Sequence, residues 1–179
     1  MTFRLPRTEL NIALNCINSK DKRPYLVCVY VFKEGYISAT DGKIAYLSNK
    51  IEGLNLSEDI AFYMEKKPAA AIDYIDVHTD ELVARTYDKS GNLKDILPIN
   101  IVESKRVDYK TFVGRHVPSQ NAAASMNPQV LKVLSQLNSE SVNISVGANG
   151  TPSIIRAEEG MLLLMPQNYT EIDLPEMIR

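Results

Sequence analysis

The side chains that could carry catalysis or hold a metal are few and scattered in this sequence. His78 and His116 stand far apart, and neither has a Cys, Asp or Glu at a metal-ligand spacing. Asp73, Asp76 and Asp80 are spaced loosely like an acidic calcium loop, but that pattern requires a central glycine and a distal bidentate glutamate, and both are missing. Alternating strand polarity explains the first two more simply. Cys16 and Cys28 sit among apolar neighbours, which reads as two buried small hydrophobes in a reducing compartment. There is no phosphate-cradling glycine loop, no G-x-S-x-G elbow and no H-E-x-x-H pair. The expectation is a protein that is not an enzyme and takes no metal or cofactor. What stands out instead is Thr40-Asp41-Gly42-Lys43-Ile44-Ala45, an Asp-Gly turn of the type I′ hairpin kind between two strand-like runs.

The elements that must position this turn can be read from periodicity. Leu10, Ala13, Leu14 and Ile17 recur at helical spacing behind Thr8, so residues 8–19 read as an amphipathic helix with Thr8 as N-cap. Tyr25–Phe32, Tyr36–Thr40 and Lys43–Ile51 then read as three strands joined by Gly-bearing turns. The same order recurs later. In MNPQVLKVLSQLN, Asn127 is an N-cap, Pro128 fits the first helical position, and Val130, Leu131, Leu134 and Leu137 form the apolar stripe. Val142–Val146, Ser153–Arg156 and Met161–Met165 follow as strands, separated by Gly147–Pro152 and a Glu-Glu-Gly turn. The chain thus carries a helix-plus-three-strand unit twice, at residues 2–51 and 125–166. Between them, residues 57–118 hold strands at Ile60–Met64, Ile72–His78, Leu82–Tyr87 and Leu93–Ile101, the last two joined as a hairpin by Lys89–Asn92. The expected fold is α+β: one domain with two helices packed on an antiparallel sheet, extra strands in the middle and a tail at 168–179.

With 179 residues and 45% hydrophobic content the chain can bury a sizeable core. A net charge of −2 gives no global attraction to nucleic acid. The apolar runs, Tyr25–Phe32 and Met161–Pro166 among them, are far shorter than the roughly 20 residues a membrane helix needs, and the N-terminus is expected to hold no apolar leader. The expected location is the cytoplasm, without membrane contact.

Four stretches, in order, give this pattern a likeness. GYISATDGKIAYLS resembles the Ala-Thr-Asp-Gly segment of the bacterial DNA polymerase III beta subunit, the sliding clamp. RVDYKTFVGRHVP is similar to that family's Phe-Pro-Asp-Tyr segment, MNPQVLKVLSQLNSESVNISVG to the Asn-Pro-x-x-Leu helix of its last domain, and TPSIIRAEEGMLLLMPQ to its terminal Ser-Pro-x-x-Ile-Arg…Met-Pro-Met stretch. The resemblance implies a single clamp-like domain, shorter than a full clamp subunit. It also implies a peptide pocket formed by Thr40, Gly42, Lys43, Ile44, Ala45, Pro118, Met165, Pro166 and Gln167, receiving motifs of the Gln-Leu-Asp-Leu-Phe kind. Lys43-Ile44 stands where the family has His-Arg, and Gln167-Asn168-Tyr169 where it has Met-Arg-Leu, so ligand preference should differ or binding be lost. Glu171-Ile172-Asp173-Leu174 faintly imitates the motif itself.

The function implied is a non-enzymatic, replication-linked binding protein, encoded by a phage or similar element, whose partners are replication proteins or clamp-binding peptides. The alternative is a homo-oligomeric ring around double-stranded DNA, with Arg4, Arg7, Lys20, Lys22 and Arg23 near the first helix meeting phosphates; about six copies would close it. A mimic that intercepts a host replication or defence protein would use the same fold.

Overall fold

Antiparallel strand pairing builds most of the described molecule. A computed structural model describes residues 1–104, 106–119, 129–148 and 150–165. Eleven strands form one sheet in the order β1-β6-β7-β8-β5-β2-β3-β4-β11-β10-β9, with every pairing antiparallel. In chain order these are β1 (Thr2–Pro6), β2 (Val29–Val31), β3 (Ile37–Thr40), β4 (Ile44–Ser48), β5 (Ile60–Met64), β6 (Tyr74–His78), β7 (Val83–Tyr87), β8 (Leu93–Ile101), β9 (Asn143–Ser145), β10 (Ser153–Ala157) and β11 (Gly160–Leu164). Among the described residues three α-helices accompany them: α1 (Arg7–Asn15), α2 (Tyr109–Gly114) and α3 (Gln129–Leu134).

The two expected units meet symmetrically. β2-β3-β4 and β11-β10-β9 are joined through their third strands, with Gly160 opposite Ser48 and Leu164 opposite Ile44. Close approach at this seam depends on Gly160, whose φ is +147° and where an added Cβ would lie 2.4 Å from the Leu47 carbonyl. Phe3, Leu5, Leu10, Leu14, Ile37, Tyr46, Phe62, Ile75, Val130 and Ile155 share one core on the α1 and α3 face. A smaller core on the opposite face joins Phe32, Ala45, Tyr109, Ile154 and Leu163 under α2.

The first helix is shorter than its periodicity suggests. Pro6, not Thr8, occupies the N-cap position, and the helix ends at Asn15 because the Asn18 N–H bonds the Leu26 carbonyl at 2.7 Å and turns the chain away. The expected strand at Tyr25–Phe32 is cut by a 3-10 turn at Pro24–Leu26, since proline at its first position supplies the fixed φ but no donor. In α3 Val130 and Val133 are buried, with Leu134 and, past the helix end, Leu137 half-buried against the same core; Leu131, one residue from Val130, is rotated off it and stands 64% exposed. β1 and α2 were not anticipated from periodicity. Asn127, Pro128 and the tail at 168–179 lie outside the described residues.

Candidate functional site

The Asp-Gly turn is held by its own side chains. Thr40 pairs with Ala45 and the Asp41 N–H reaches the Ile44 carbonyl, which places Gly42 and Lys43 at the tip. Positive φ occurs at Gly42 (+86°) and not at Lys43, the pattern of a type II′ turn rather than the expected type I′. Asp41 Oδ1 accepts the N–H groups of Lys43 and Ile44, both at 2.8 Å. Thr40 Oγ1 accepts from the Gly42 N–H at 3.0 Å and donates to the Ile44 carbonyl at 2.8 Å. The backbone N–H groups of Asp41, Gly42, Lys43 and Ile44 are thereby all engaged, and the Lys43 side chain is exposed at the tip.

The end of β11 is tied to that turn. The Met165 N–H donates to the Lys43 carbonyl at 2.8 Å, one step beyond the Leu164–Ile44 pair. Sheet alternation then sorts the neighbours. Ala45 and Met165 belong to the core under α2, together with Leu47, Met161 and Leu163, whereas Ile44 turns to the opposite face and enters the α1 core.

α2 lies over this face. Asp108 caps it by accepting the Thr111 N–H at 3.1 Å. Tyr109 is buried edge-on to Phe32, with ring centroids 6.4 Å apart, and burial pushes its pKa up to about 12. Phe112 and Val113 pack on the same cluster as Met165. Tyr109, Phe112 and Val113 were missed as site residues, although their i, i+3, i+4 spacing behind a capping Asp is a legible signal.

Pro118 is placed elsewhere. It bridges Gly147 beyond the end of β9, where the Ser119 N–H bonds the Val146 carbonyl and the Ala148 N–H bonds the Val117 carbonyl, both at 2.8 Å. His116 anchors that segment through the Pro152 carbonyl at 2.7 Å and Ser145 Oγ at 2.8 Å. Thr40, Gly42, Lys43, Ala45 and Met165 are therefore brought together, Ile44 faces away, and Pro118 sits at the sheet's far edge. Pro166 and Gln167 lie outside the described residues.

The basic side chains named from sequence divide between the two ends of α1. Arg4, on the outer face of β1, is locked to Asp76 by bonds of 2.7 and 2.9 Å and lies 3.8 Å over the Tyr74 ring; Arg7 opens the helix. Beyond its other end, Arg23 is held by Asp21, while Lys20 and Lys22 are exposed. A different pair occupies the helical face. Lys67 Nζ donates to Asn15 Oδ1 at 2.6 Å, and burial followed by the nearby charge of Lys132 lowers its pKa. Only tertiary folding brings Lys67 to α1 and α3. Among the described residues no group of three or more His, Cys, Asp or Glu could hold a metal ion, and no helix is long and apolar enough to cross a membrane.

No protein-family model matches the chain, and no curated protein sequence matches it. Solved structures do. The crystal structure of the DNA polymerase III subunit beta from Pseudomonas aeruginosa superposes with a TM-score of 0.55 at 11% identity, over 94% of this chain and 67% of that one. The fold is that of a bacterial sliding clamp. The beta subunits of Thermotoga maritima (TM-score 0.56, 12% identity, 95% of this chain and 66% of that one) and Streptococcus pneumoniae (0.58, 15%, 94% and 65%) carry the same sliding-clamp fold. This chain therefore spans about two-thirds of the length of the chains it resembles.

Proposed function

We propose that this chain is a non-enzymatic, replication-linked binding protein that captures extended peptide segments of partner proteins on the outer face of the β4–β11 seam. The observation that carries this reading is the bond from the Met165 N–H to the Lys43 carbonyl. It makes one wall of two segments more than 100 residues apart in sequence, both belonging to the peptide site that the resemblance implies, though without Pro118. The wall combines a fixed turn, the half-buried Met165 at the end of β11 and the exposed cation Lys43, with Ala45 and Leu163 buried behind them, which suits an apolar anchor beside an acidic residue.

The strand edges favour a binding module over a ring of copies. The β4 edge is filled by the chain's own β11. Among the described residues, β8 pairs only with β7 along residues 93–98, and the Ile99 N–H bond to Leu82 fixes which groups face outward. On that free edge Pro98 has no N–H, and the Ile96 N–H is taken by Asp95 Oδ1 at 2.9 Å, so added strands find few donors. The test is fluorescence anisotropy with a labelled Gln-Leu-Asp-Leu-Phe peptide. Saturable binding that weakens at least about tenfold in the Lys43→Glu, Met165→Ala double variant supports the proposal; equal affinity in a folded double variant contradicts it.

A further inference from the structure

A groove of about 720 Å3 opens beside α2, with Phe32, Tyr36, Leu47, Val107, Tyr109 and Val113 as its apolar wall. Its charged lining balances itself. Arg106 lies 4.5 Å over the Phe32 ring and is shared by Glu34 and Asp59, while one carboxylate, Asp108, and one ammonium, Lys110, complete the rim. Selection in such a slot falls to apolar fit, so its occupant is a segment that carries large apolar side chains and is held close by something other than charge. The groove is continuous with the peptide wall described above. Leu47 follows Ala45 on the same face of β4, and both pack with Met165 and Val113 in one apolar cluster.

The chain itself supplies such a segment. Beyond Met165, whose N–H is fixed to the Lys43 carbonyl, residues 166–179 include Tyr169, Ile172, Leu174, Met177 and Ile178. Residues 120–128, which also lie outside the described residues, offer no apolar group larger than Met126 and leave from the far edge of the sheet, where Pro118 bridges Gly147. Length favours the C-terminal segment as well. Met161 stands opposite Leu47, so the end of β11 lies four residues, about 13 Å, from the groove wall. From Met165 to Ile172 or Leu174 an extended chain spans about 23 to 30 Å, enough to reverse direction and return along this face. A tether this short gives the segment an effective concentration of about millimolar, so an apolar contact too weak to hold a free peptide is sufficient.

We propose that residues 168–179 return to their own chain, with Ile172 and Leu174 seated in the groove between Leu47, Tyr109 and Val113, and so compete with partner peptides for the outer face. The competition rests on the peptide-binding reading above; the contact does not. A partner then binds by displacing the segment, and its apparent affinity is reduced by the fraction of molecules in which the segment is docked.

The experiment uses the full chain with a nitroxide on the cysteine introduced by Glu176→Cys, the buried Cys16 and Cys28 remaining unlabelled. Docking broadens the backbone amides of Tyr36, Leu47, Tyr109 and Val113, and the broadening survives an about tenfold dilution because the contact is intramolecular. Adding Ile172→Asp and Leu174→Asp removes the broadening at these four amides while the core amides of Leu10 and Phe62 keep their shifts. The same two substitutions, without the nitroxide, raise the affinity for Gln-Leu-Asp-Leu-Phe at least about threefold. Groove amides that are not broadened, broadening lost on dilution, or broadening that persists with both aspartates would each overturn the contact. Equal peptide affinity with and without the aspartates overturns the competition. Failure of the peptide to bind either chain contradicts the reading of the seam and the competition with it, whereas the nitroxide result decides the contact independently.

Discussion

At the residue scale the site depends on a turn that satisfies itself. Thr40 and Asp41 engage the amides of Gly42, Lys43 and Ile44, leaving the Lys43 side chain to face outward. The Asp-Gly signal was legible in sequence because glycine at positive φ and a short acidic acceptor are local properties. That Ile44 turns inward was decided by strand alternation, once the tip was known to be Gly42-Lys43. The two thiols behave as the sequence suggested. Burial pushes the pKa of Cys16 far above the ordinary thiol range and raises that of Cys28. Both should therefore resist Ellman's reagent in the native protein and react only on unfolding; rapid native labelling of either would contradict the packing described.

At the element scale, strands rich in Val, Ile and Tyr announced themselves, and β5 and β8 occur with the boundaries expected. β1 was hidden because its Thr-Phe-Arg-Leu alternation precedes a helix directly, and α2 because six residues are too few for a convincing period. The joint between the units concentrates its sensitivity at one backbone position. Gly160→Ala forces a Cβ into the Leu47 carbonyl at a φ that L-residues avoid, and should destabilise the chain by about 2–4 kcal/mol, read from the denaturation midpoint. The β7–β8 hairpin predicts a pH effect. Lys94 and the Asn92 amide hold Asp88, and Lys66 and the Ile96 amide hold Asp95, below the usual carboxylate range. For depressed carboxylates the stabilisation is present above the unfolded-state pKa near 4 and is lost as pH falls further. Melting temperature should therefore fall on acidification below about pH 4. Asp88→Asn and Asp95→Asn together should flatten that dependence.

At the scale of the whole molecule, the repeated helix-plus-three-strand unit was legible because each copy carries its own period. Their union through β4 and β11, and the meeting of Lys67 with Lys132 beside α1, depend on long-range contacts that no local pattern encodes. The sheet ends differently on its two sides: β9 is extended by the Pro118–Gly147 bridge, while among the described residues β1 pairs only with β6. Without two complementary open edges, the chain should run as a monomer or dimer in light scattering at micromolar concentration; a six-copy mass would favour the DNA-encircling alternative. The central claim is that the outer face of the β4–β11 seam captures peptide. Backbone-amide NMR of the labelled chain titrated with Gln-Leu-Asp-Leu-Phe tests it most directly. Saturable shifts centred on Gly42, Lys43, Ala45, Leu163 and Met165 are the predicted result, and shifts confined to α1 and α3, or none at millimolar peptide, would contradict it.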